Sequence, residues 1–129
     1  MTIAFSGTQT GMTIKQETEL MAYLALHCTC LHHGDCIGAD AQAHSIARSL
    51  LIPICIHPPI KKDKRAFCTE YSSIYAPKEY LSRNHEMVDV CEALIACPKT
   101  KEEVWRSGTW ATIRYASKMK KPVIILSPA

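Results

Sequence analysis

Three short segments of the chain combine glycine with hydroxyl-bearing, acidic or basic residues, a composition that suits phosphate binding. They are Ser6-Gly7-Thr8, Gly34-Asp35-Cys36-Ile37-Gly38-Ala39-Asp40 and Arg106-Ser107-Gly108-Thr109. Glycine lets the backbone approach a ligand closely, and Ser and Thr hydroxyls add hydrogen-bond donors. Any one such segment is common, but three at equivalent positions favour a shared site for an anion.

The third segment carries the most specific chemistry. Arg106 can pair with phosphate oxygens, while Ser107, Gly108 and Thr109 can present hydroxyl and N–H groups at the start of a helix. Trp110 could stack on a base, although a tryptophan in an amphipathic helix more often belongs to the core. The alternative interpretation of the segment is a Ser or Thr helix cap beside an incidental arginine.

Two acidic residues, Asp35 and Asp40, bracket the second segment. Their functional interpretation is hydrogen bonding to ribose hydroxyls or the positioning of a water molecule. Asp40 could instead complement the dipole of the helix that follows. His44 lies one turn further on, and we interpret it as a structural partner of Asp40.

Short apolar runs alternate with stretches of helical periodicity along the chain. They predict strands over 3–5, 30–32, 53–57, 93–97 and 122–126, and helices after Thr13 and over 39–50, 78–91 and 108–119. Thr13 and Gln16 form a capping-box pattern. This order predicts a Rossmann-like α/β fold in three α/β/α layers, with a mostly parallel sheet of about five strands. Ligands of such sheets bind beyond the carboxyl ends of the strands, where the three segments would lie.

Residues 58–77 show no regular period, and a loop of this length is unusual inside a domain, so we expect a functional or mobile segment. Its lysines at 61, 62 and 64 are interpreted as a solvated loop. His57, just before it, could bond a phosphate or a ribose, or could simply end a strand. Arg65 is a further candidate contact to the ligand.

Composition predicts one domain over residues 1–129, located in the cytoplasm. The chain has 129 residues, 47% of them hydrophobic, and a net charge of +3. It contains neither a run of ~18 apolar residues nor a signal-peptide pattern. Seven cysteines, an odd number scattered through apolar segments, indicate buried thiols in a reducing compartment.

A metal site is conceivable where Cys28 and Cys30 are followed by His32 and His33. The spacing of the two cysteines is too short for the usual zinc knuckle, so a helix end that runs into a strand is the favoured interpretation. No metal and no resident cofactor are therefore predicted.

Several motifs resemble those of the SLOG superfamily, the Rossmann-like group that contains the DNA-processing protein DprA and the LOG phosphoribohydrolases. Residues 34–44 are similar to the DprA motif SGxAxGIDxxAH, with Asp40 and His44 in register. Ser82-Arg83-Asn84 is similar to the family's RN element. Ser107-Gly108-Thr109, followed by Thr112 and Ala116, is similar to SGxxxTAxxA. The resemblance extends over almost the whole chain.

For a small stand-alone member, the resemblance implies that a nucleotide or nucleotide-derived ligand is sensed or sequestered, by a homo-oligomer of two or more chains. The residues expected to hold phosphate are Arg83, Asn84, Arg106, Ser107, Gly108 and Thr109. Those expected to line the sugar side are Gly7, Thr8, Asp35 and Asp40.

Two alternative functions remain open. LOG enzymes hydrolyse the N-glycosidic bond of nucleoside 5′-monophosphates with an arginine and a glutamate. Arg83 matches the arginine, but Thr112 stands in place of the glutamate and cannot act as a carboxylate does. Asp40, Glu86 or Asp35 could take its place, and Asp40 is the candidate catalytic partner of Arg83. A DprA-like function in binding single-stranded DNA would require a long basic groove, for which a charge of +3 gives little support.

Overall fold

Alternation of apolar runs and amphipathic stretches produces one sheet of six parallel strands with four helices, in a computed structural model that describes residues 1–129. The predicted Rossmann-like α/β architecture is confirmed. The strands are β1 Thr2–Gly7, β2 Cys30–His33, β3 Ile54–Ile56, β4 Ser73–Ile74, β5 Ala93–Cys97 and β6 Val123–Ile125. The helices are α1 Ile14–His27, α2 Ala39–Ser49, α3 Tyr80–Val90 and α4 Gly108–Lys118.

The strand order is β4-β3-β2-β1-β5-β6, which places a topological switch between β1 and β5. From β1 the chain moves outward to β2, β3 and β4, and then returns to the other side of β1 to form β5 and β6. The connections after β1 and β5 therefore diverge, and this opens a crevice at the carboxyl ends of these two strands.

Side chains alternate between the two faces of the sheet, so each face has its own apolar core. One core contains Ile3, Phe5 and Leu31 from the strands and Leu20 and Leu24 from α1, all fully buried. The other core is built from residues of β1, β5, α3 and α4, and its main members are Ala4, Leu94, Ala96, Met87, Ile113 and Ala116. The sheet between the helix layers is therefore a rigid support for the loops at its edge.

The start of α1 follows the predicted capping box. The Thr13 hydroxyl accepts a hydrogen bond from the N–H of Gln16 at 3.1 Å, and the Gln16 side chain accepts one from the N–H of Thr13 at 3.0 Å. These two bonds satisfy backbone donors that the first turn of a helix leaves free.

The prediction that residues 58–77 lack regular structure is wrong at one point. Ser73 and Ile74 pair in parallel with Cys55 and Ile56 and form the edge strand β4. The sheet consequently has six strands rather than five. Two residues carry too little pattern to be recognised, and it is the exposed edge of β3 that makes them a strand.

None of the helices combines the length and the apolar character that crossing a bilayer requires.

Candidate functional site

A cavity of about 650 Å³ lies at the topological switch. Its walls come from the loops after β1, β2 and β5, from α3 and from the loop after β3. Nine of the predicted site residues line it: Ser6, Gly7, Thr8, Asp40, Arg83, Asn84, Ser107, Gly108 and Thr109. The fold thus brings residues from positions 6 to 109 of the chain together around one space.

The start of α4 presents unpaired backbone donors to this cavity. Ser107 caps the helix, and its hydroxyl accepts the N–H of Trp110 at 3.2 Å. The N–H groups of Gly108 and Thr109 have no acceptor within the protein. A Cβ atom on Gly108 would meet nothing within 4 Å, so the approach to these donors is open. Free N–H groups and the helix dipole together favour an anion at this position.

The loop after β1 forms another part of the cavity wall and is held in place by contacts with neighbouring residues. A Cβ atom on Gly7 would lie 2.5 Å from the Cβ of Ala39, so glycine here allows β1 and α2 to approach each other. The Thr8 hydroxyl lies 2.9 Å from that of Thr10, and the Thr8 carbonyl accepts the N–H of Ala39 at 3.0 Å. Ser6 and Thr8 therefore offer hydroxyl groups on a wall that other residues fix in place.

Arg83 projects from α3 and is only 5% exposed. Its Nη1 donates to the carbonyl oxygens of Gly34 at 2.5 Å and His57 at 3.2 Å, and its Nε donates to Asn84 Oδ1 at 2.7 Å. A Cβ atom on Gly34 would overlap the guanidinium, so that glycine makes room for it. Nη2 contacts only Cys36 Sγ, at 3.8 Å, and it has no oxygen acceptor within the protein.

Asp40 lies in the first turn of α2 and is 5% exposed. Burial raises its pKa to about 6, although the nearby charge of Arg83 and the N–H of Cys36 act in the opposite direction. Oδ2 accepts that N–H at 3.2 Å. A carboxyl with a pKa near 6 can both hold and release a proton close to neutral pH, which is the property that a general acid or base needs.

Lysines that were interpreted from the sequence as part of a solvated loop also contribute to the cavity wall. Lys61 and Lys64, from the loop after β3, line it together with Lys99 from the loop after β5. With Arg83 they supply four positive charges, against the carboxylates of Asp40 and Asp63. The spacing of Lys61 and Lys64 in the sequence does not predict this arrangement, because the path of residues 58–77 depends on contacts with distant strands.

Asp35 and Arg65 lie outside the cavity and pair with each other. Asp35 is fully buried; its Oδ2 accepts from Arg65 Nε at 2.7 Å and its Oδ1 from the N–H of Cys68 at 2.9 Å. The guanidinium of Arg65 also lies 4.4 Å from the centre of the Phe67 ring. These contacts fix the loop after β3 to the end of β2, and they occupy the groups that were expected to meet a sugar or phosphate.

Gly38 packs against backbone rather than facing the cavity. Its φ is +83°, and a Cβ atom there would overlap the carbonyl oxygen of Gln9. Because the N–H of Ala39 is already bonded to Thr8, the start of α2 is closed by the protein itself. The second segment therefore lines the cavity through Cys36 and Asp40 and not through its glycines.

The remaining residues considered in and just before α4 do not line the cavity. Trp110 is 8% exposed, belongs to the core under α4 and donates from Nε1 to the Thr100 hydroxyl at 3.2 Å. Arg106 is exposed and does not line the cavity. Thr112 is 1% exposed, and its hydroxyl donates to the carbonyl of Gly108 at 2.9 Å within the same helix.

His57 is fully buried and belongs to a chain of hydrogen bonds outside the cavity. Its Nδ1 lies 2.8 Å from Glu86 Oε1, and its Nε2 lies 2.8 Å from Nδ1 of His32. Lys78 donates to the other Glu86 oxygen at 2.5 Å. Burial lowers the pKa of His57 to about 4, so the ring is neutral at pH 7.

Comparison with known proteins identifies the fold but not a family. No protein-family model matches the chain, and no curated protein matches it. Among solved structures, it resembles the molybdenum cofactor binding protein from the phototrophic bacterium Rippkaea orientalis. The TM-score is 0.75 at 21% identity, over 99% of this chain and 77% of that one. It also resembles TM1055, a Northeast Structural Genomics Consortium target, with a TM-score of 0.69 at 14% identity, over 95% of this chain and 71% of that one.

Proposed function

We propose that the cavity at the topological switch binds a nucleotide or a nucleotide-derived ligand through its phosphate, for sensing or sequestration. The observation that carries this proposal is the pair of free N–H groups on Gly108 and Thr109, in a cavity that Lys99 also lines. Charged donors and oriented backbone N–H groups are the usual partners of phosphate oxygens in proteins.

The rest of the cavity suits the remainder of such a molecule. Its volume of about 650 Å³ falls within the range of small-ligand sites. Ser6, Thr8 and Asp40 offer hydrogen-bonding groups for a sugar, while Tyr80 and Met87 give α3 an apolar surface for a base. The fold neighbour named as a molybdenum cofactor binding protein supports the view that this architecture accommodates a small molecule.

The test is a thermal-shift screen of the wild-type protein against nucleoside monophosphates, NAD, ADP-ribose and cyclic nucleotides, followed by calorimetry. A true ligand at ~100 times its Kd should add about 2.7 kcal/mol to the free energy of unfolding. Replacing Gly108 with valine should weaken binding about 10-fold or more, because the side chain would project towards the free N–H groups.

The Gly108→Val variant should fold as stably as wild type, within about 0.5 kcal/mol, because its Cβ meets open space and valine is no worse than glycine in a helix. Gly108→Ala serves as the matched control and should weaken binding less. If wild type and Gly108→Val bind a ligand from the screen with equal affinity, that ligand does not bind at the start of α4. Failure of every phosphate-bearing compound to bind would contradict the proposal itself.

A second function, hydrolysis of the N-glycosidic bond of a nucleoside 5′-monophosphate, is favoured by the raised pKa of Asp40. In its protonated form Asp40 can supply a proton to the leaving base as the C1′–N bond breaks, while Arg83 Nη2 holds the substrate. Water adds its hydroxyl group to C1′, and the proton that it releases restores the acid form of Asp40. Chromatography of the reaction mixture should then show free base, and Asp40→Asn should lower its rate of formation at least 100-fold while the substrate still binds. Absence of free base at high protein concentration would leave the binding function alone.

A further inference from the structure

Two cysteines and a histidine converge on the sheet face that packs against α3 and α4, near the β4 edge. His32 and Cys55 are directly paired across β2 and β3, and Cys30 lies two residues before His32 on the same face. The ligand atoms of these three residues all lie within 4.8 Å of one another. The two sulfur atoms are 3.5 Å apart, and both cysteines are half-buried.

The hydrogen bonds around His32 determine which of its nitrogens is free. We assign Nδ1 of His57 as the donor to Glu86, which leaves a lone pair on Nε2 of His57. That lone pair must accept from Nδ1–H of His32. Nε2 of His32 is therefore unprotonated and has no hydrogen-bond partner in the protein. Every fully buried polar side-chain atom of the chain does have a partner, so this nitrogen must be in contact with solvent.

A second cluster, formed by His33, His44 and Cys68, shows the contrast. Nδ1 of His33 accepts the N–H of Asp35 at 3.0 Å, so its Nε2–H donates to Nδ1 of His44 at 2.9 Å. Nε2–H of His44 then donates to the carbonyl of Thr69 at 2.7 Å. Every ring nitrogen of this pair is used, and neither histidine has a lone pair left for a metal.

The distances in the first cluster suit a thiophilic cation. Zinc binds thiolate at about 2.3 Å in tetrahedral geometry, which separates two sulfur ligands by about 3.8 Å. The observed separation of 3.5 Å between the sulfurs of Cys30 and Cys55 requires a movement of only a few tenths of an ångström. Two thiolates and one imidazole leave a fourth position open to water or another ligand.

We propose that Cys30, Cys55 and Nε2 of His32 bind one Zn²⁺ ion or a similar thiophilic divalent cation. Sequence spacing pointed to Cys28 and His33 as companions of Cys30 and His32, whereas the fold supplies Cys55 from the neighbouring strand. This site is separate from the cavity, because none of its three residues lines the cavity wall.

The surroundings of the three ligands are those that support a metal site. Nδ1–H of His32 is held by His57, which is oriented in turn by Glu86, so a carboxylate lies behind the ligating ring through one intermediate histidine. Ser73 donates its hydroxyl hydrogen to Cys55 Sγ at 3.0 Å. Such outer contacts typically change metal affinity by 10- to 100-fold.

The test uses the full chain, purified under reducing conditions and stripped of metal with a chelator. Titration with Co²⁺ should give the thiolate-to-metal absorption band in the near ultraviolet, and elemental analysis should find one Zn²⁺ per chain after reloading. The double variant Cys30→Ser/Cys55→Ser should lose the band. His32→Asn keeps a donor close to the Nδ1 position but removes Nε2, and it should weaken affinity at least 10-fold.

Cys68→Ser is the matched control, because it alters the second cluster, whose histidines are fully bonded; it should bind Co²⁺ like wild type. Retention of the absorption band in the double variant would overturn the proposal. So would a stripped, reduced protein that takes up no Zn²⁺ at micromolar concentration. Formation of a Cys30–Cys55 disulfide in place of metal uptake under the same reducing conditions would equally overturn it.

Discussion

Replacing Gly38 with alanine is expected to lower the free energy of unfolding by about 3–5 kcal/mol. Two costs combine at this position. The φ of +83° lies in the region that L side chains rarely adopt, and the added methyl group would overlap the carbonyl oxygen of Gln9. Because that oxygen belongs to backbone, it cannot move without displacing the loop after β1. Urea denaturation of wild type and variant measures the difference.

Gly11 provides the control for the Gly38 substitution. Its φ is +97°, but a Cβ atom there would lie 3.5 Å from the nearest atom, an ordinary contact with the Gln42 side chain. Gly11→Ala should therefore cost only the backbone strain, about 1–2 kcal/mol. Equal losses for the two variants would show that the contact of Gly38 with Gln9 contributes nothing. Ligand affinity should fall in Gly38→Ala as well, since Thr8 lies in the displaced loop.

Replacing Arg83 with methionine is expected to destabilise the chain by about 3–5 kcal/mol and to weaken ligand binding. The change leaves the carbonyl oxygens of Gly34 and His57 without their donor, and it removes the positive charge nearest to the buried Asp40. Arg83→Lys keeps a positive charge but cannot reach the same acceptors. Its loss of free energy of unfolding should be about half that of Arg83→Met. Chemical denaturation at pH 7 measures both variants.

The pH dependence of the Arg83→Met variant separates the charge effect from lost hydrogen bonds. Asp40 has a folded pKa raised to about 6, and the attraction of Arg83 lowers that value, so the variant raises it further. The folded state then binds more protons than the unfolded state above pH 4, and stability falls as pH rises through this window. The deficit relative to wild type should be larger at pH 7 than at pH 5.

At pH 7, adding Asp40→Asn to the Arg83→Met variant should change the free energy of unfolding by about 1–2 kcal/mol more, in the stabilising direction, than adding it to wild type. It removes the charge that the missing arginine no longer compensates. A deficit in Arg83→Met that is independent of pH and unchanged by Asp40→Asn would assign the whole effect of Arg83 to its hydrogen bonds.

Features set by neighbouring residues could be predicted from the sequence, and those set by distant contacts could not. The capping box at Thr13 and Gln16 depends on residues three apart, and the structure contains it. The strand at Ser73 and Ile74 exists only because β3 lies beside it. Asp35 was interpreted as a sugar contact because nothing in its own segment reveals Arg65, thirty residues later, as its partner.

The glycines show a further limit of sequence patterns. Gly38 and Gly108 occur in similar segments and were given the same interpretation. One meets backbone oxygen where a side chain would be, and the other meets open space. The sequence identifies a glycine but does not show which atoms a side chain at that position would meet. It therefore cannot distinguish a glycine that is required for close packing from one that leaves the start of a helix accessible.

The outermost strands of the sheet, β4 and β6, are only two and three residues long. An exposed strand is a template to which the backbone of another molecule can add, and long unprotected borders promote fibre growth. Borders this brief offer very few unpaired amide and carbonyl groups. Copies of this chain are therefore expected to resist polymerisation through a continuous sheet.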